Sequence, residues 1–247
     1  MNSTLALQLK IEQWSRFHAG IIIIAVIGFI LGSSPLPIAL LGLSSFAAYW
    51  YLNRESWQAL SKWGGAANLV TAARLLTLVL IGIWGHHLGN WIVGGLALIV
   101  LLTDGLDGYL ARKYQTQSLF GEYFDKETDA FFVMMLGSLA WYEGYVGPWI
   151  LSLGLLRYVY VFLLIFVKPP EKKESRSFRG QLIAVILMSS LIGCFWLPEW
   201  LYMPALVIVS ALVFYSFGMS FWGMISTNRR ASVQTKKKKE AVNKAIL

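Results

Sequence analysis

Charge and cysteine are both scarce in this chain of 247 residues. Only 14% of its residues are charged and 57% are hydrophobic, whereas a soluble domain is about one quarter charged. Apolar runs recur from one end to the other and leave no polar block large enough for a separate domain, so the chain reads as one integral membrane domain with short tails. The single cysteine, Cys194, excludes an intramolecular disulfide and a cysteine-built metal site; its place inside an apolar run marks it as a packing residue. No internal repeat, glycine-rich phosphate loop or nucleic-acid module is present. The net charge of +8 has its own explanation in the distribution of Lys and Arg, and no nucleic-acid partner is expected.

About 20 apolar residues cross a bilayer as a helix. Eight runs approach that length, at 17–33, 36–52, 69–85, 91–111, 120–142, 147–167, 180–197 and 202–225. The expected fold is therefore an all-α polytopic bundle of about eight transmembrane helices. The first two runs are short and joined by "SSPLP", a tight hairpin for which a re-entrant or interfacial pair is the alternative. "GSSPLP" makes a poor signal-peptide cleavage site, so the run from Phe17 to Leu31 is read as a retained span.

The connections alternate sharply in charge. One side receives Lys10, Arg16, Arg54, Lys62, Arg112, Lys113, Lys126, the basic residues from Lys168 to Arg179, and the final "TKKKKEAVNK" region. The loops on the other side hold neither Lys nor Arg, which places the charged side and both termini in the cytoplasm. The segment "NRESWQALSKW" mixes Trp57, Leu60 and Trp63 with charge and reads as a short interfacial helix. The basic tail reads either as an anchor to anionic lipid or as a solvated, disordered end. His86 and His87 fall on the opposite side and are read as interface residues, since two adjacent histidines make an incomplete metal site.

Against this background, "DGLDGYLARKYQTQSLFGEYFDKETD" holds six of the thirteen acidic residues. At about 100° per residue, Asp104 and Asp107 lie within about 60° of each other on a helix, and Asp125 and Asp129 within about 40°. If "RKYQTQSLF" reverses the chain, the two pairs converge from adjacent antiparallel helices. Carboxylates at close range repel unless a cation sits among them, and an oxygen-only set favours Mg2+ first, with Mn2+ or Ca2+ as alternatives and room for two ions. Gly105, Gly108 and Gly121 permit close approach beside the acids, and Arg112 is placed to hold a phosphate or pair with a carboxylate. The competing reading, a divalent-cation transporter, wants acids near mid-membrane and a polar path to both faces, which the other spans do not supply.

Written out, the stretch is Asp104, two residues, Asp107-Gly108, two residues, Ala111-Arg112, eight residues, Gly121, three residues, Asp125, three residues, Asp129. It resembles the signature of the CDP-alcohol phosphotransferases at every fixed position. Upstream, Asn68, Thr71 and Arg74 of "NLVTAARL" resemble the element that begins the family core, with Ala67 in place of the usual proline. The resemblance implies a six-span catalytic core over about 54–226, preceded by an added two-span hairpin at 1–53 and followed by a basic tail at 227–247.

It also implies the chemistry: transfer of a substituted phosphate from a CDP-linked donor to an alcohol, with release of CMP, at a dimetal site open to the cytoplasm. By position, Asp104, Asp107, Asp125 and Asp129 would hold the metals, with Asp129 also the general base. Asn68, Thr71, Gly108, Ala111, Arg112 and Gly121 would contact the CDP moiety. The expected donor is CDP-diacylglycerol, with CDP-choline or CDP-ethanolamine transfer to a lipid alcohol as the alternative. Arg157 in "LLRYVYV", with Arg176 and Arg179 in "ESRSFRGQ", is the candidate acceptor-phosphate site, against a structurally paired Arg157. These positions resemble elements of phosphatidylglycerophosphate synthases, although Tyr158 replaces a Glu there. Glycerol 3-phosphate is the first expectation for the acceptor, followed by serine, inositol phosphate or another polyol. A homodimer in a bacterial inner membrane is expected.

Overall fold

The computed structural model describes the backbone of residues 3–32, 34–55, 65–166 and 178–246. Side chains are described over the same ranges except at 3–6, 107, 164–166, 178 and 224–246. Among these residues there are eight α-helices and no strand: α1 (Ser3–Gly32), α2 (Leu36–Leu52), α3 (Gly65–Trp84), α4 (Asn90–Lys113), α5 (Leu119–Tyr142), α6 (Ile150–Phe166), α7 (Phe178–Trp196) and α8 (Glu199–Ile246). Among the described residues, five segments, in α1, α3, α4, α7 and α8, are long and apolar enough to cross a membrane, and α2 and α6 contain shorter apolar helices. The chain is thus an integral membrane helical bundle.

Helix ends follow local chemistry. Pro35 stands at the entry to α2 and Pro37 in its first turn, where a missing N–H costs nothing. The Ser118 side chain caps α5 by accepting from the Gly121 amide at 3.0 Å. Beyond α5 the chain turns at Gly144, whose φ of +78° suits a residue without a Cβ. The connection from α4 to α5 reverses through Gln115, which takes a φ of 54°.

α5 is the central element and packs against α1, α2, α3, α6 and α7. Every residue from Phe131 to Ala140 is buried, as expected for a helix enclosed on all sides. α1 is longer than its apolar run suggested, because the polar turns before Phe17 continue the same helix. The α1–α2 hairpin lies against the rest of the bundle. Trp14 Nε1 donates to the Ser45 carbonyl at 3.0 Å within it. Tyr49 donates to the Phe120 carbonyl at 2.9 Å, and its ring stacks on that of Phe120. Cys194 is buried as a packing residue.

Two expectations change. The two acid-bearing helices, α4 and α5, have little contact of their own; α3 packs against both and stands between them. Of the two readings of the basic tail at 227–247, the disordered end is the one that changes, since α8 continues helically through Ile246. The interfacial helix expected in "NRESWQALSKW" falls mostly on residues 56–64, outside the described residues. His86 sits in a 3-10 turn and pairs with Glu143 at 2.8 Å.

A Cβ on Gly42 of α2 would overlap the Phe131 ring of α5. Gly42→Val should therefore destabilise the bundle by about 1–3 kcal/mol, read as earlier thermal unfolding in detergent. Unchanged unfolding would show that the hairpin is not seated on α5 at this point.

Candidate active site

Three positions on α3, Asn68, Thr71 and Arg74, recur at a spacing that keeps them on one helix face, and all three are buried. The Arg74 guanidinium reaches both acid-bearing helices. Its Nη2 lies 2.7 Å from Asp104 Oδ1 on α4 and 2.7 Å from Asp129 Oδ1 on α5, while Nη1 lies 3.0 Å from Asp125 Oδ1. Arg74 is 2% exposed, whereas the three carboxylates keep 17–33% of their surface.

At an effective dielectric of about 20, a charge pair about 4 Å apart is worth roughly 4 kcal/mol, and withdrawing one ion from water costs several kcal/mol. A single carboxylate would leave that balance near zero. Three of them hold the guanidinium in place.

One oxygen from each of Asp104, Asp125 and Asp129 lies within 4.8 Å of the others. This all-oxygen donor set suits a hard divalent ion rather than zinc. Three carboxylates surround a single guanidinium, which leaves acidic oxygens available to a divalent ion. The residues therefore fit Mg2+ or Mn2+. Asp107 lies on α4 one turn beyond Asp104, and its side chain is outside the described residues.

Beside the cluster is a cavity of about 460 Å³. Asn68, Thr71, Gly108, Ala111, Arg112 and Gly121 all line it, as does Asp125. Gly121 has a local reason to be glycine: a Cβ there would stand 2.8 Å from Asn68 Oδ1, so a side chain would push the amide aside. Gly105 has open space where its Cβ would be.

The candidate acceptor residues lie elsewhere. Arg157 on α6 places Nη2 3.1 Å from Glu127 Oε1. Arg179 is exposed in the first turn of α7, and Arg176 is outside the described residues.

The sequence reading left two charged residues out of the site. Arg74 was noted as part of an upstream element but given no role, although a cation was required among the acids. Glu127 falls between Asp125 and Asp129 in the sequence but lies on the other face of α5, where it pairs with Arg157.

Residues 65–228, which contain the triad, Arg74 and the cavity, match the family model for CDP-alcohol phosphatidyltransferase. The chain belongs to that family. It is accordingly an enzyme that transfers a substituted phosphate group, and the family uses divalent metal ions. No curated protein and no solved structure matches the chain. The family match begins at the start of α3, so this phosphatidyltransferase carries α1 and α2 in addition to the matched segment.

Removing the Arg74 charge leaves its three acidic partners facing one another. Arg74→Ala should destabilise the enzyme by about 3–5 kcal/mol, measured by thermal unfolding in detergent with EDTA. Arg74→Lys should recover less than half of the loss, because one ammonium cannot bridge three carboxylates as the planar guanidinium does. Equal stability of all three proteins would contradict the role given to Arg74.

Proposed function

We propose that this enzyme moves the phosphatidyl group of CDP-diacylglycerol to a polar alcohol and releases CMP, with glycerol 3-phosphate as the acceptor. The observation that carries the reading is Asp125, whose residue lines the cavity and whose carboxylate is bound by Arg74. A volume of about 460 Å³ falls within the usual range for small-molecule sites. The nucleotide lies in the cavity against Asn68, Thr71, Gly108, Ala111, Arg112 and Gly121, with its diphosphate at Asp125.

An alcohol is a weak nucleophile at neutral pH, and a carboxylate within reach of its hydroxyl raises its reactivity by taking the proton. Asp129 serves as that base. Arg74 holds its Oδ1, and Oδ2 is the oxygen proposed to take the proton. The acceptor oxygen forms a bond to the lipid-bearing phosphorus as the bond from that phosphorus to the CMP oxygen breaks. Asp104, Asp107, Asp125 and Asp129 would hold a divalent metal, Mg2+ or Mn2+, which when bound would supply positive charge to the phosphate oxygens and the departing CMP. Two ions per site are proposed.

The donor carries acyl chains, so the site belongs at the membrane surface with the diacylglycerol among the helices. The distribution of Lys and Arg supports a cytoplasmic position for this end of the bundle. A bacterial inner membrane and a homodimer complete the proposal.

Arg157, Arg176 and Arg179 are assigned to the acceptor phosphate. The pairing of Arg157 with Glu127 favours a second reading, since an arginine already neutralised has less charge to offer a phosphate. In that reading the acceptor is serine or an uncharged polyol.

Purified enzyme with CDP-diacylglycerol and Mg2+ or Mn2+ should release CMP when offered one member of an alcohol panel. Glycerol 3-phosphate is expected to be that acceptor, and serine or a free polyol would establish the second reading. Asp129→Asn should lower the rate by about 10²–10⁴. No CMP with any acceptor, from folded protein, would refute the reading.

A further inference from the structure

Asp125 and Asp129 lie on one face of α5, and Glu127, about 200° from Asp125, lies on the opposite face. Glu127 is fully buried. Its Oε1 accepts from Ser15 Oγ of α1 at 2.8 Å and from Arg157 Nη2 of α6 at 3.1 Å. One turn of α5 is thus held from the front by Arg74 and from behind by Ser15 and Arg157.

The back contact is not ordinary packing. His18 of α1, Glu127 of α5 and Tyr158 of α6 are each fully buried, and His18 and Tyr158 meet edge to face with ring centroids 5.7 Å apart. His18 Nε2, Glu127 Oε2 and the Tyr158 hydroxyl have no hydrogen-bond partner among the described residues. His18 also shares a 2.8 Å hydrogen bond with Ser45 of α2. A hairpin that served only to cover the bundle would present apolar side chains here, because buried ionic and polar groups are retained at a cost in stability.

We infer that Ser15 and Glu127 are positioning residues for the phosphatidyl-transfer site, through which the α1–α2 hairpin sets where Asp125 and Asp129 stand relative to Asp104. The hairpin lies outside the segment that matches the family and is nonetheless part of the working site. The link is mechanical. Ser15 fixes the Glu127 carboxylate, Glu127 fixes the rotation of its turn of α5, and the rotation of that turn sets the spacing of the acid cluster. This inference rests on the reading of the acids as a metal-dependent transfer site.

The test compares the intact enzyme with Ser15→Ala, Ser15→Thr, Glu127→Gln and Tyr49→Phe. Mn2+ binding per folded protein is followed by loss of the free-ion electron paramagnetic resonance signal, and CMP release is measured in parallel. Ser15→Ala should weaken Mn2+ binding about 10-fold and Glu127→Gln about 10- to 100-fold, the range seen when groups that orient metal ligands are removed. Ser15→Thr keeps the hydroxyl and should restore binding. Tyr49→Phe removes a different hairpin bond, two turns earlier on α5, and should leave Mn2+ binding within about twofold.

Ser15→Ala deletes one hydroxyl and decides the matter if Glu127→Gln does not fold. Binding by folded Ser15→Ala equal to that of the intact enzyme would overturn the inference. So would a loss in Tyr49→Phe as large as that in Ser15→Ala, because the effect would then be general loosening of the hairpin. Intact enzyme that binds Mn2+ but forms no CMP would count against the proposed activity, while the binding ratio would still decide the positioning role.

Discussion

A buried guanidinium shared by three carboxylates is the interaction on which the rest of this bundle depends. Arg74 ties α3 to Asp104 on α4 and to Asp125 and Asp129 on α5, two helices with little direct contact of their own. Without that cation the acids would repel one another at the point where the site requires them close together. With it, they converge and still retain enough negative charge for a divalent ion. A single ion-pair network therefore serves both assembly and chemistry, consistent with the rule that ionisable groups in membrane segments are costly and functional.

α5 translates that network into the rest of the fold. Its first turns are polar and present carboxylates on two faces, and its later turns from Phe131 to Ala140 are enclosed by apolar neighbours. Burial of the second half fixes the helix in place, so the first half can be held by polar contacts without slipping. The front face meets Arg74, and the cavity lies alongside between Asn68 and Arg112. The back face meets the hairpin and α6 through Glu127. Both faces use an arginine against a carboxylate, but only the front leaves its acids partly open to ligand.

Much of this was legible in the residues. Apolar runs bounded by charged connections located the helices, because bilayer thickness and backbone hydrogen bonding leave few alternatives. Aspartates at helical spacing pointed to the acid cluster, in which Asp104, Asp125 and Asp129 come together. The neighbour relation of α4 and α5 was misjudged because helices close in sequence are ordinarily close in space, and nothing local announces that α3 lies between them. Arg74 was visible as a residue but not as a partner, since its partners are 30 to 55 positions away along the chain. Glu127 was hidden by its neighbours: two residues from each of two prominent aspartates, it looked like one more acid of the same patch until its face was known. The length of α1 and the helical continuation of α8 escaped a reading that ends spans where hydrophobicity ends, because a helix can run on into water.

The central claim is that this site breaks the bond between CMP and a lipid-bearing phosphate and makes a new bond from that phosphate to an alcohol. Its most direct test is to follow the phosphorus. With CDP-diacylglycerol labelled at the phosphorus bonded to diacylglycerol, the account predicts that all transferred label appears in a new lipid bearing the acceptor, with unlabelled CMP released in equal amount. Label in the nucleotide product, or in phosphatidic acid whatever alcohol is present, would contradict it.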